Sequence, residues 1–317
     1  MTGNDIALWF QQQFSMLGFL LEAFVLFWIG WKVWSAYFKS QSVTRSQDQI
    51  QQYEDGDKLV SEPADYDPNF EIEVKSNTAV AWRWAGIYLG LAIPLYGLIS
   101  GPGSGNYVQD LLSVLGWGVL LVFVMLLAAM INDKFIVTGV NNTEAVRDGN
   151  NAVGTVECFS FVATGIIALA AFSGSGAGNL VGDLLATLGI FALGQVVLLV
   201  LVKIYEFFTT YEAVEEIRRG NDAAGLMLGS WIVALSIVLS AALSADIADW
   251  TVFSIVLGLT VALALVVIRA IGFVFDWIFL PNTDFKTEIV RDRNIAPIMV
   301  ASGVRIGAVL FIVASLI

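Results

Sequence analysis

Eight runs of predominantly apolar residues dominate the chain, at 14–37, 78–99, 111–131, 152–173, 184–204, 223–243, 251–273 and 296–316. A helix needs about 20 apolar residues to cross ~30 Å of hydrocarbon. Lipid offers the backbone no hydrogen-bond partners, so only helices and closed barrels span it. These runs are too long and too evenly apolar for barrel strands, which alternate over ~10 residues. At 317 residues, a soluble chain would suggest about two domains. Here 57% of residues are hydrophobic and 14% charged, against ~25% charged in soluble domains. The sequence therefore predicts an all-α integral membrane protein of about eight transmembrane helices, with the lipid bilayer as its first partner.

Several function classes are excluded. The net charge is −12, which argues against nucleic acid as a partner. There is no histidine, which removes Ser–His triads, histidine proton relays and the commonest zinc ligands. The one cysteine, Cys158, sits in an apolar run; alone it makes neither an internal disulfide nor a metal site. The stretch Gly101-Pro102-Gly103-Ser104-Gly105 lacks the Lys-Ser/Thr of a P-loop. No nucleophile–base set is visible, so no enzyme activity and no cofactor are expected. The first residues lack a basic region and do not read as a cleaved signal peptide.

Of the sixteen Lys and Arg, all but Arg83 and Arg305 lie in or beside the connections after the first, third, fifth and seventh runs. The positive-inside rule places those connections in the cytoplasm and both termini outside an inner membrane. The first connection, 39–76, is acidic and carries Pro63 and Pro68. It is expected as a mobile loop or small cap.

The chain also repeats itself. Asn-x-Ala precedes four of the runs, at Asn77, Asn150, Asn221 and Asn294. Three copies share a lead-in: Arg147-Asp148-Gly149, Arg218-Arg219-Gly220 and Arg291-Asp292-Arg293. The outer ends repeat as Asp110-Leu111-Leu112 and Asp183-Leu184-Leu185. The implied architecture is four like-oriented helical hairpins, two in 1–175 and two in 176–317. Positions four and eight after each Asn share its helical face. They hold Ala81 and Ala85, Gly154 and Cys158, Gly225 and Gly229, Ile298 and Ser302. Small residues at this spacing let helices pack closely in lipid, within one chain or between copies in a homo-oligomer. Each Asn is expected either to cap its helix or to join a ring of amides lining a vestibule.

The Arg-x-Gly-Asn-x-Ala lead-in, the small-residue helix after it and the acid-plus-aromatic exits Asp133-Lys134-Phe135, Glu206-Phe207-Phe208 and Asp276-Trp277 resemble the YjfL-like inner-membrane proteins. These carry the domain of unknown function 350, and the resemblance runs in tandem from about Ala79 onward. The first unit departs from the pattern, since Lys75-Ser76-Asn77 lacks the Arg-x-Gly lead. The resemblance implies a helical-hairpin membrane unit and, by association, a membrane-remodelling cytoplasmic protein partner.

Four charges lie inside the runs: Glu22, Arg83, Glu157 and Arg305. A charge there costs about 2.5–3.5 kcal/mol on insertion scales and calls for a partner or a function. Matched depth predicts ion pairs of Arg83 with Glu157 and Glu22 with Arg305, with the swapped pairing as the alternative. Gln195 is a further polar candidate. The cluster Trp28, Trp31, Trp34 and Tyr37 reads as an interfacial belt, and Asp110, Asp183 and Asp249 as helix caps. Two functions fit: a channel or transporter for a small cation or polyamine, or a membrane scaffold that recruits a cytoplasmic partner.

Overall fold

The structure, a computed structural model, describes residues 3–56, 58–101, 103–173, 179–244, 250–280 and 283–315. Four long helices arrive at the motif-bearing end of the bundle: α1 (Gly3–Gln41), α3 (Tyr107–Phe135), α6 (Leu180–Phe208) and α9 (Trp250–Phe279). Four inner helices leave from it: α2 (Thr78–Ser100), α5 (Asn151–Phe172), α8 (Asp222–Leu243) and α11 (Ile295–Ala314). Asn77, Asn150, Asn221 and Asn294 stand one residue before the inner helices. The protein is thus an all-α membrane protein, apart from one short hairpin.

The connections hold structure of their own. Short helices α4 (Asn142–Arg147), α7 (Ala213–Arg218) and α10 (Phe285–Val290) precede the last three asparagines. In the first unit a π-helical turn, Phe70–Val74, takes that place. Before it, β1 (Gln52–Asp55) pairs antiparallel with β2 (Lys58–Ser61). The 39–76 connection is therefore a docked cap, the second of its two expected forms.

The inner helices form a row in which α2 packs on α5, α5 on α8 and α8 on α11. The arriving helices fill the grooves between them: α3 touches α2 and α5, α6 touches α5 and α8, and α9 touches α8 and α11. Helix α1 lies against α3 and α2. Helices α5 and α8 are buried along most of their length. Helices α6 and α9 expose Leu185, Val196, Val200, Leu259 and Leu263, the surface that lipid requires.

Seven described helices are long and apolar enough to cross a membrane. Helix α2 is not among them, although it runs 23 residues. Arg83, between Trp82 and Trp84, dilutes its apolar first half. It still holds the first inner place in the row, and Arg83 itself is fully buried.

Backbone contact explains the small residues. Gly154 meets the backbone of Ala79, and Gly225 meets that of Ala152. Gly86 abuts Cys158, and Gly90 abuts Phe161 and Gly165. A Cβ at any of these glycines would overlap main-chain atoms. Gly229 lies against the Phe159 ring, and Ile298 and Ser302 are buried. Ala81 and Ala85 depart from the expectation: both are exposed, because α2 begins the row and no inner helix precedes it.

Overpacking a seam should be costly. Gly86→Ala and Gly165→Ala are each expected to lose about 1–3 kcal/mol, read by thermal unfolding in detergent. No described residue would meet a methyl group at Gly116 or Gly189, so alanine there should be neutral or gain up to ~1 kcal/mol of helix propensity. Equal effects at all four sites would refute seam packing.

Candidate functional site

Each repeated asparagine caps its own helix, and the first three also bond forward. The Asn77 side-chain oxygen accepts from the N–H groups of Ala79 and Val80 at 3.1 and 3.2 Å. Asn150, Asn221 and Asn294 cap α5, α8 and α11 in the same way, through Val153, Ala224 and Ala296. In the first three the amide nitrogen reaches into the next unit. Asn77 Nδ2 donates to the carbonyls of Val146 and Arg147, 3.1 and 2.9 Å, at the end of α4. Asn150 does so to Ile217 and Arg218, both 3.1 Å, at the end of α7. Asn221 donates to Ile289 at 2.7 Å, in α10. One side chain thus caps its own helix and satisfies orphan carbonyls of the next unit's short helix. These amides bond backbone instead of lining an open vestibule.

The residue before each Asn is left-handed: Ser76 (φ 53°), Gly149 (φ 87°), Gly220 (φ 73°) and Arg293 (φ 48°). Asn150 N–H then bonds Ala145 O and Gly149 N–H bonds Val146 O, the Schellman ending of α4. This is the physical content of the Gly in the lead-in. The first and fourth units insert one more residue before the turn. They close with longer-range bonds, Asn77 N–H to Glu71 O and Asn294 N–H to Glu288 O.

A carboxylate supports three of the four asparagines: Glu71, Glu216 and Glu288 accept from Asn77, Asn221 and Asn294 at 3.1, 2.9 and 2.9 Å. Sequence reasoning missed these acids. Their signal is a Glu five or six residues before each of those asparagines.

Arg147 ties the cap to α4. It is buried, donates to the carbonyls of Val43, Pro63 and Ala64, and pairs with Glu62 at 3.4 Å and Glu71 at 3.5 Å. Arg45 and Lys75 also bind Glu62. At the rim of the cap, hydrogen bonds from Lys39 and Thr44 hold the Asp65 carboxyl below the usual range. Burial raises the neighbouring Tyr66 hydroxyl above its ordinary value.

Within the row, Arg83 and Glu157 form the expected ion pair. Arg83 Nε donates to Glu157 Oε2, and its Nη2 to Glu157 Oε1 at 2.8 Å. The same Nη2 donates to the Asn142 carbonyl at 3.1 Å, and the guanidinium lies 4.1 Å from the Phe38 ring centroid. Nearby, Tyr37 donates to Asp133 at 3.0 Å. A cavity of about 10 Å³, lined by Asn132, Asp133, Asn142, Glu157 and Ser160 among others, lies beside the pair. That is room for one water.

Glu22 and Arg305 do not meet. Glu22 is buried on α1, which packs on α3, α2 and α4, whereas α11 packs on α8, α9 and α10. Arg305 instead donates to Ser230 Oγ at 2.7 Å and lies 4.8 Å from the Trp231 ring centroid. The swapped pairing fails as well, because Arg83 is bound to Glu157 and Arg305 to Ser230. Gln195 is buried, with no hydrogen-bond partner for its amide among the described residues.

Two further expectations need correction. Of the supposed belt only Trp28 is exposed; Trp34 is fully buried, Trp31 stacks on Trp84 at 4.1 Å, and Tyr37 binds Asp133. The caps of α3 and α6 are Asn106 and Asn179. Asp110 and Asp183 lie in the first turns, where they complement the helix dipole. Asp249 lies outside the described residues.

Comparison with known proteins gives one family. The profile described as Domain of Unknown Function (DUF350) matches twice in tandem, at residues 62–172 and 179–316. A "UPF0719 transmembrane protein" from Aquifex aeolicus (strain VF5) is 24% identical over 235 residues, covering 73% of this chain and 84% of that protein. No solved structure matches.

The charge pair gives a directional test. Glu157→Gln leaves a buried guanidinium uncompensated and should lose roughly 3–5 kcal/mol. The double variant Arg83→Met/Glu157→Met should lose far less, since it leaves no orphaned charge. Melting curves in detergent compare the two, and a double variant worse than the single one would count against the pair. The left-handed turn gives another test. No described residue lies within 4 Å of a methyl group built at Gly149, so Gly149→Ala should lose about 1–2 kcal/mol from backbone strain. Ser76→Gly should move stability the opposite way.

Proposed function

The chain belongs to the DUF350 family, and from that premise we propose that it is a membrane scaffold: a stiff multi-hairpin platform that presents a polar ledge to a cytoplasmic protein. The observation that carries this reading is the asparagine junction. It fixes α4, α7 and α10 at one end of the bundle at regular intervals, each bonded to the preceding inner helix. Such a platform needs rigidity more than an open path, and the backbone-to-backbone seams supply it. The ledge carries exposed charges of both signs, including Asp148, Arg219, Arg291 and Arg293. The cap beside it is acidic. The clustering of Lys and Arg at this end supports a cytoplasmic ledge and an inner-membrane location.

A second reading, transport of a small cation or polyamine, draws on one observation. Asp133 and Glu157 place two carboxylates beside a water-sized cavity. In that reading Glu157, and Glu22 on the arriving helix, would carry the cation.

Proximity labelling from the 52–61 hairpin in native membranes, followed by copurification of the labelled protein, separates the two. The scaffold predicts one dominant partner. Its capture should be lost on Arg219→Glu/Arg293→Glu and on deletion of the hairpin, with melting temperature unchanged. Persistent capture by both variants would overturn the scaffold. Cation or polyamine flux in proteoliposomes that disappears with Glu22→Gln would install transport in its place.

A further inference from the structure

The row of inner helices has two unlike ends, and they are complementary. Counting from each Asn, the forward face of an inner helix uses positions two, nine and thirteen. In α2 these are Ala79, Gly86 and Gly90, all against the α5 backbone. The backward face uses positions four, eight and fifteen. In α5 these are Gly154, Cys158 and Gly165, which receive α2. In α8 the position-four residue Gly225 receives Ala152 of α5 in the same way.

Helix α11 ends the row, and its forward face carries Ala296, Gly303 and Gly307 at positions two, nine and thirteen. These repeat the Ala, Gly, Gly set of α2 residue for residue. Among the described residues nothing lies within 4 Å of a Cβ placed at Gly303 or Gly307, and Ala296 and Gly303 are exposed. Helix α2 begins the row, and its backward face carries Ala81, Ala85 and Ala92 at positions four, eight and fifteen, as small as the α5 set. Ala81 and Ala85 are exposed and Ala92 is half-buried.

The asparagine junction is open at the same place. Asn77, Asn150 and Asn221 each donate to a carbonyl of the following unit. Asn294 is exposed, and its one side-chain acceptor among the described residues is Glu288 of its own unit. At the other end, the Phe70–Val74 turn occupies in the first unit the place that α4 and α7 occupy in theirs.

We propose that copies of this chain assemble head to tail in the membrane, the α11 face of Ala296, Gly303 and Gly307 packing on the α2 face of Ala81, Ala85 and Ala92 of a second copy. The occupant is a second copy because the contact continues one the chain already makes with itself along its own row. In lipid, close backbone approach at small residues is what drives such association. The interface is heterologous, so it closes into a ring or runs on as a filament according to the rotation between copies. The proposal does not depend on the partner reading above, since a scaffold could work as a single row.

Oxidative cross-linking tests it in native membranes. In a Cys158→Ala background, the pair Ala81→Cys and Ala296→Cys matches the Gly154–Ala79 contact within the chain. It cannot close internally, because α2 and α11 stand at opposite ends of the row. Oxidation should give a ladder of dimers and higher species. The pair Leu185→Cys and Ala296→Cys should give none, since Leu185 is exposed on an arriving helix. Gly303→Leu/Gly307→Leu offers a second readout. No described residue lies within 4 Å of a Cβ at either position, so melting should be little changed, while light scattering in mild detergent should fall from an oligomer to a single chain. Absence of the ladder, equal ladders from both cysteine pairs, or an unchanged mass in the leucine variant would each overturn the assembly. Loss of partner capture with the ladder intact would instead sink only the scaffold reading.

Discussion

The asparagine before each inner helix is the constraint from which the architecture follows. A helix entering lipid brings unsatisfied N–H groups at its start, and a short helix ending beside it brings unsatisfied carbonyls. An amide side chain is donor and acceptor at once, so one residue can answer both needs when the two helix ends are adjacent. Asn77, Asn150 and Asn221 do this in succession. Aspartate or serine would cap the helix equally well but could not bind two carbonyls across the junction, as Asn77 and Asn150 do. The cap therefore also fixes which unit lies beside which. It holds the inner helices near enough that only Gly, Ala, Ser or Cys fits much of the seam.

A buried ion pair is weak support for stability, because two charges must leave water to form it. Arg83 and Glu157 are better explained as a register lock. The guanidinium sits where α2, α5 and the start of α4 converge, bonding Glu157 and the Asn142 carbonyl while stacking on Phe38. Sliding α2 along α5 by one turn would break every one of those contacts. The glycine seam, made of near-identical backbone surfaces, resists such a slide poorly by itself.

Much of this is legible in the sequence, and the limits have physical causes. The apolar runs give helices because lipid leaves the backbone few alternatives. The spacing of Asn77, Asn150, Asn221 and Asn294 gives like-oriented units because a fixed period preserves direction. The small residues at Gly154 and Gly225 give close packing because size is a local property. Helices α4, α7 and α10 do not show, since six polar-flanked residues carry too little periodicity to stand out from a loop. The two-way bonding of the asparagines is half visible. Capping is local, but the carbonyls that complete it lie roughly seventy residues downstream. The belt reading of Trp31, Trp34 and Tyr37 fails because aromatic residues also fill grooves between helices, and composition does not separate the two uses.

The failure of the Glu22–Arg305 pairing follows from the row itself. Depth along a helix can be read from sequence, but neighbour relations cannot, and a charge pairs only with what is beside it. The polar contacts of the inner helices follow the order of the row. Arg83 reaches from α2 to α5, and Arg305 reaches from α11 to Ser230 on α8. The middle seam, α5 on α8, is filled by Gly225 against Ala152 and Gly229 against Phe159. Hairpins this alike at their asparagine ends could pack in many registers and orders. Placing a different arginine contact in the first and last seams makes those seams chemically distinct, which penalises an exchange of one hairpin for another.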